Sequence, residues 1–167
     1  ASPGQGRSAV GVLLDYGMRY HRTGDPACAT VARELFLALE EYHRADPYIV
    51  ANGMTRYDRD FRDAYTYEVA IIWDLIEECG LFSDAERLAI TNLIVRLGLE
   101  CVVYQGWNRP GAMERWAANK HIVHNHLTFP ATGVLFAGNY LKRHYQVEYV
   151  NDWLTVARGI FNGQKHC

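Results

Sequence analysis

Apolar residues in this chain recur at helical spacing and are cut by strong helix stops, a pattern that leaves few folds open. Over residues 8–22, Val12, Tyr16 and Tyr20 share one face, with Val10, Leu13 and Leu14 beside them. Gly24-Asp25-Pro26 then ends one helix and opens the next, because Asp is a good N-cap and Pro suits the first helical position. Residues 26–45 carry Val31, Leu35, Leu39 and Tyr42 on one stripe, with Glu34, Glu40, Glu41 and Arg44 mostly off it. Asp46-Pro47 closes that segment. After a polar stretch over 48–59, a third helix is expected from about Asp60 to Cys79, with Gly80 as the residue that ends it. Ser83-Asp84-Ala85-Glu86 reads as a capping box opening a fourth helix towards Tyr104. A fifth is expected over about Pro130–Tyr145 and a sixth over about Tyr149–Phe161.

These segments predict an all-α fold of three antiparallel helical hairpins. Valine and isoleucine fall at helical rather than alternating positions, so no strand is expected. A hairpin repeat of roughly 50–65 residues suggests part of an incomplete α/α toroid, with a small closed bundle as the alternative. The chain reads as one helical domain over 1–167, an excerpt of a longer toroid. An apolar fraction of 49% supports a real core and argues against disorder. A formal net charge of −2 gives no global basic field, so nucleic acid is not an expected partner. No apolar run is long enough to suggest a membrane span. Cys28, Cys79 and Cys101 fall inside helical patterns and read as buried free thiols. The pairs Glu40-Glu41 and Glu77-Glu78 read as solvated helix faces. Trp153, Leu154, Val156, Ile160 and Phe161 make the last helix strongly apolar, which predicts self-association through that helix or burial under a further part of the parent chain.

The richest functional stretch is His121-Ile-Val-His-Asn-His-Leu-Thr-Phe-Pro130. It ends a long segment from Gln105 to about Thr128, and a connection of that length inside a compact domain usually carries function. With Pro130 in the first turn, Asn125 and His126 are expected at or just before a helix N-terminus, where free N–H groups favour an anion. Residues 105–126 hold Arg109, Arg115 and Lys120 against Glu114 alone, with Trp107 and Trp116 among them. A cationic, aromatic loop on a slightly acidic chain suits a small or polymeric anion. His121, His124 and His126 could bind zinc, but no fourth ligand or supporting carboxylate is evident, so no metal or other cofactor is expected. Asp58, Asp60 and Asp63, interleaved with Arg56, Arg59 and Arg62, read first as a solvated loop. Arg56 and its neighbours could also hold substrate anions.

The stretch from Trp73 to Phe161 resembles the helical domain of uronate-polysaccharide lyases, the alginate lyase and heparinase II/III-like superfamily. Trp73-Asp74-Leu75-Ile76, Gly80-Leu81-Phe82-Ser83-Asp84 and Asn125-His126-Leu127-Thr128-Phe129-Pro130 carry the resemblance, followed by Gly133, Phe136-Ala137-Gly138 and Tyr140. Two departures stand out. The family usually shows Asn-Asn-His where this chain has His124-Asn125-His126, and its toroid is longer and commonly followed by a β-sandwich domain. The resemblance implies an enzyme that cleaves an acidic, uronate-containing polysaccharide by β-elimination, in a secreted or periplasmic setting. Such a reaction removes the C5 proton and expels the 4-linked oxygen, so the uronate carboxylate must be neutralised as an enediolate forms. On this reading Asn125 neutralises, His126 is the base with His124 second, and Tyr65 or Tyr67 is the acid. Trp107, Arg109, Arg115, Trp116, Lys120 and Arg56 would hold substrate. The alternatives are a six-hairpin glycoside hydrolase with two carboxyl groups flanking the bond, or a non-catalytic helical carbohydrate-binding or scaffold module.

Overall fold

The computed structural model describes residues 3–45, 65–112, 115 and 125–164, with side chains from residue 9 onward and without those of Tyr104, Asn125, His126 and Gln164. All regular structure among the described residues is helical. Six helices follow in order: α1 (Pro3–Thr23), α2 (Pro26–Ala45), α3 (Thr66–Ile76), α4 (Asp84–Tyr104), α5 (Asn125–Tyr145) and α6 (Val150–Gln164).

The expected caps form. The Asp25 carboxylate accepts from the Ala27 N–H at 2.9 Å, and Gly24 takes the left-handed turn with φ 70°. At α4, Ser83 Oγ accepts from the Glu86 N–H at 3.3 Å while Glu86 accepts from the Ser83 N–H at 2.9 Å. Glu86 also pairs with Arg33 of α2, so one side chain caps α4 and ties it to its neighbour. That pairing, with the Ser83 N–H second, holds the Glu86 carboxyl below its ordinary range.

Several boundaries differ from expectation: α1 begins at Pro3 rather than at residue 8, α3 at Thr66 rather than about Asp60, and α6 runs to Gln164 rather than Phe161. α3 ends at Ile76, not Cys79, and its C-cap is Glu77 in the right-handed region rather than a glycine. α5 begins at Asn125, five residues before the proline expected to open it. Pro130 sits inside the helix, so the His126 carbonyl lacks its usual i+4 donor. Burial of Leu127, Pro130, Ala131 and Val134 on one flank stabilises this turn against the proline penalty.

The helices stack in two layers, and the side-chain register shows how. Gly17 of α1 faces Ile72 of α3, and Tyr20 pairs with Cys79 just beyond it. Thr66 of α3 faces Gly133 of α5, Trp73 bonds Tyr140, and Asp74 meets Arg143. Partners advance together along both chains, so α1, α3 and α5 run parallel in one layer. Arg33 to Glu86 and the His43 carbonyl to Arg96 give the same parallel order for α2 and α4. Within hairpins the order reverses: Lys142 bonds Asn151 while Gly138 faces Leu154. Gly133 is required where α3 crosses α5, because a Cβ there would lie 2.8 Å from the Thr66 Cβ. The described part is thus an open stack of three hairpins.

The core centres on Trp73, which is fully buried. Phe36 and Phe82 pack edge-on against it at 5.2 and 5.1 Å. Cys28, Cys79 and Cys101 are buried free thiols, as expected. The apolar side of α6 is not open. Trp153, Leu154, Val156 and Ile160 are buried within this chain and Phe161 is partly buried, which leaves little of the apolar face expected to drive self-association. α6 is apolar over a wide arc because it packs on α5 and also meets Trp153's neighbour Gly98 on α4. No described helix is long and apolar enough to cross a membrane.

Candidate functional site

The parallel register sorts the connections between helices. The short ones, residues 24–25, 77–83 and 146–149, all lie at one end of the stack. Residues 46–65 and 105–124, the two long ones, leave and re-enter at the other. That second end holds the starts of α3 and α5 and the finish of α4. Every candidate residue proposed from sequence belongs to it or to its connections.

Asn125 and His126 occupy the first turn of α5, where the leading N–H groups have no intrahelical acceptor. Their side chains, and His124, Trp116, Lys120 and Arg56 altogether, lie outside the described residues, as do Asp58, Asp60 and Asp63. Tyr65 is the N-cap residue of α3, and Tyr67 is in its first turn. Thr66 is level with Gly133, so Asn125 and His126 sit about 10–12 Å further along the axis, at 1.5 Å per residue. Tyr65 is the nearer tyrosine. Tyr67 turns instead to Phe136, with ring centres 6.5 Å apart, and donates to Glu68 Oε1 at 3.0 Å.

Glu68 was not among the sequence candidates. It is half-buried, and burial holds its carboxyl above the ordinary range despite the bond from Tyr67. Burial, then the bond to Glu68, raises the Tyr67 phenol in turn. The Tyr67-Glu68 adjacency was visible in the sequence, but its partial burial was not.

Trp107 and Arg109 are brought together, but away from the tyrosines. α4 ends in a Schellman motif: the Trp107 N–H donates to the Val102 carbonyl at 2.9 Å and the Gly106 N–H to Val103 at 3.0 Å. Gly106 has φ 68°, the left-handed geometry this motif needs. The turn folds the Trp107 ring back beside α6, where it is 3% exposed. It lines a cavity of about 300 Å³ with Asn108 and Arg109, opposite Tyr149, Asp152 and Trp153. Tyr149 and Trp153 meet edge-on at 5.3 Å. Arg109 lies over Gly106, and a Cβ on that glycine would come within 3.2 Å of its Nε. Arg115 is exposed and donates to the Pro110 carbonyl at 3.4 Å. The sequence run Val102-Val-Tyr-Gln-Gly-Trp107 carried the Schellman signal, a glycine followed by an apolar residue at a helix end.

A second polar cluster occupies the opposite end. Trp73 Nε1 donates to Tyr140 Oη at 2.9 Å, and Tyr140 donates to Glu77 Oε2 at 2.8 Å. Tyr145 donates to Glu77 Oε1 at 2.6 Å, and Thr91 lies 3.2 Å from Tyr140 Oη. Burial, with Tyr145 and Glu77 adding to it against an opposing bond from Thr91, pushes the Tyr140 phenol far above its ordinary range. Asp74 accepts from Arg143 at 2.9 Å and meets His144 Nε2 at 2.9 Å. Glu77 is therefore a bonded acceptor rather than the solvated residue expected. Comparison with family profiles, with curated proteins and with solved structures returned no match.

Proposed function

We propose that this chain is the helical part of a lyase that cleaves an acidic, uronate-containing glycan by β-elimination. The observation that carries the reading is the parallel stacking of α1, α3 and α5. It gathers the first turn of α5, the start of α3 and the finish of α4 at the end that also receives both long connections.

The chemistry follows from what stands there. Elimination needs a group that stabilises charge on the uronate carboxylate as the C5 proton leaves. The Asn125 amide in a helix first turn has that character, because N–H groups without an acceptor in their own helix and the helix dipole favour negative charge there. His126 is the base, with His124, two residues before it, as the second candidate, since imidazole titrates near neutrality. Tyr65 is the acid for the leaving oxygen. Helical side chains lean towards the N-terminus, which directs the α3 tyrosines towards this end. The Tyr67–Glu68 pair stands further from the first turn of α5 and suits a neighbouring sugar. Arg56, Arg109, Arg115 and Lys120 would attract the polymer, and Trp107 and Trp116 would stack on its rings. No step in this scheme calls for a metal or cofactor.

The test is the initial rate of C4–C5 double-bond formation on acidic glycans, followed by ultraviolet absorbance in the full chain. Asn125→Ala should lower kcat more than it raises KM, by about 10²–10³-fold, as for an oxyanion-hole donor. His126→Ala should cost about 10²–10⁴-fold, the usual range for a general base. Wild-type rates in both variants would remove these residues from the reaction. A cleaved product without a double bond would point instead to hydrolysis, and binding without cleavage to a carbohydrate-binding module.

A further inference from the structure

Trp107 has the only polar atom of its side chain buried without a hydrogen-bond partner, at Nε1. Buried N–H groups are rarely left unpaired, and an indole N–H can only donate. The missing partner is therefore an acceptor. Trp107 lines the cavity between the end of α4 and the first turns of α6, whose other polar groups are Asn108, Arg109 and Asp152. Its aromatic wall is Trp107, Trp153 and Tyr149, and Tyr149 is 50% exposed at the mouth.

We propose that this cavity binds one pyranose unit of an acidic glycan, at a place separate from the first turn of α5. A pyranose has apolar C–H faces and a rim of oxygens. The faces suit the aromatic wall, and a rim oxygen accepts from Trp107 Nε1. Asn108 and Asp152 serve the hydroxyl groups, since an amide both donates and accepts and a carboxylate accepts. Arg109 is the one cation among the described residues lining the cavity and pairs with the sugar carboxylate, ideally through both of its oxygens. The volume of about 300 Å³ is at the small end for ligand sites and fits one ring rather than a chain. The pocket is built by the Schellman turn at Gly106, so it is part of the fold and not of the residues around Asn125. The choice of an acidic over a neutral sugar rests on the reading above, but the binding itself requires no elimination.

The experiment is titration of the full chain with methyl glucuronide and, separately, methyl glucoside, read by tryptophan fluorescence and calorimetry. The glucuronide should bind more tightly than the glucoside. Arg109→Ala should weaken the glucuronide about tenfold and leave the glucoside unchanged, the size expected for one charged hydrogen bond. Tyr149→Ala should weaken both about 2–10-fold through lost stacking. Arg109 and Tyr149 are both exposed, so neither change threatens folding. Absence of binding of either sugar, or binding indifferent to Arg109 and Tyr149, overturns the proposal. Glucuronide binding that depends on Arg109, without elimination of any acidic glycan, would sink the lyase reading and leave this one standing. Elimination with an unresponsive Arg109 and Tyr149 would do the reverse.

Discussion

At the end of the stack with the short turns, Trp73, Glu77, Thr91, Tyr140 and Tyr145 bond to one another, and Asp74 takes Arg143 and His144. Past the finish of α4, the Trp107 N–H, folded back beside α6, has no acceptor, and at the end with the long connections the leading N–H groups of α5 have no acceptor within their own helix. The first end joins α3, α4 and α5 through mutual hydrogen bonds. In the second, the Trp107 N–H is buried without an acceptor. Polar groups that satisfy one another contribute stability and rigidity, whereas a buried one held without a partner costs stability. The resemblance motif spans both ends: its Trp73-Asp74 and Tyr140 belong to the bonded one and its Asn125-His126 to the open one.

Three experiments would test this contrast. The largest effect is expected at Trp73. Trp73→Ala removes a fully buried indole and its bonds to Thr91 and Tyr140, and should cost about 3–5 kcal/mol in urea denaturation. A cost below about 1 kcal/mol would mean that the bonded end does not anchor the stack.

A matched pair of hydroxyl deletions compares the ends directly. Tyr140→Phe leaves Trp73 Nε1 and Glu77 short of a partner in the interior, and should cost about 1–3 kcal/mol. Tyr67→Phe deletes a half-buried hydroxyl bonded to one carboxylate, and should cost less than about 1 kcal/mol. Equal costs, measured by the same denaturation, would erase the distinction.

The smallest effect concerns pH. Burial raises the Glu68 carboxyl in the folded chain from an ordinary value near 4.5. The folded state then binds this proton more tightly than the unfolded state. The resulting stability is complete below the unfolded value and is lost as pH rises through the raised folded value. Wild type should therefore lose stability relative to Glu68→Gln as pH goes from about 4 to about 7. Urea midpoints of the two proteins at both pH values check this, and parallel curves would show that Glu68 titrates alike in both states.

What could be read from residue order was the local part of the fold. The Asp25 cap, the Ser83–Glu86 capping box and the finish of α4 at Tyr104 came out as expected, because each depends on residues within one turn. Spacing of apolar residues likewise identified six helices, since a helix reports its buried face through its own period. The candidate site was legible as a neighbourhood in sequence, and only partly as an arrangement. Tyr67 turned to Glu68 and Phe136, and Trp107 turned to α6. Tertiary packing alone decided the rest. It carried α5 back through Pro130 to Asn125, because burial on one flank outweighs a propensity that acts only locally. It buried the apolar arc of α6 against its own chain and made Glu77 the shared acceptor of two tyrosines. The partners in these contacts lie as far as 68 residues apart in sequence. No pattern within a single helix encodes such distances; the parallel register of the layers sets them.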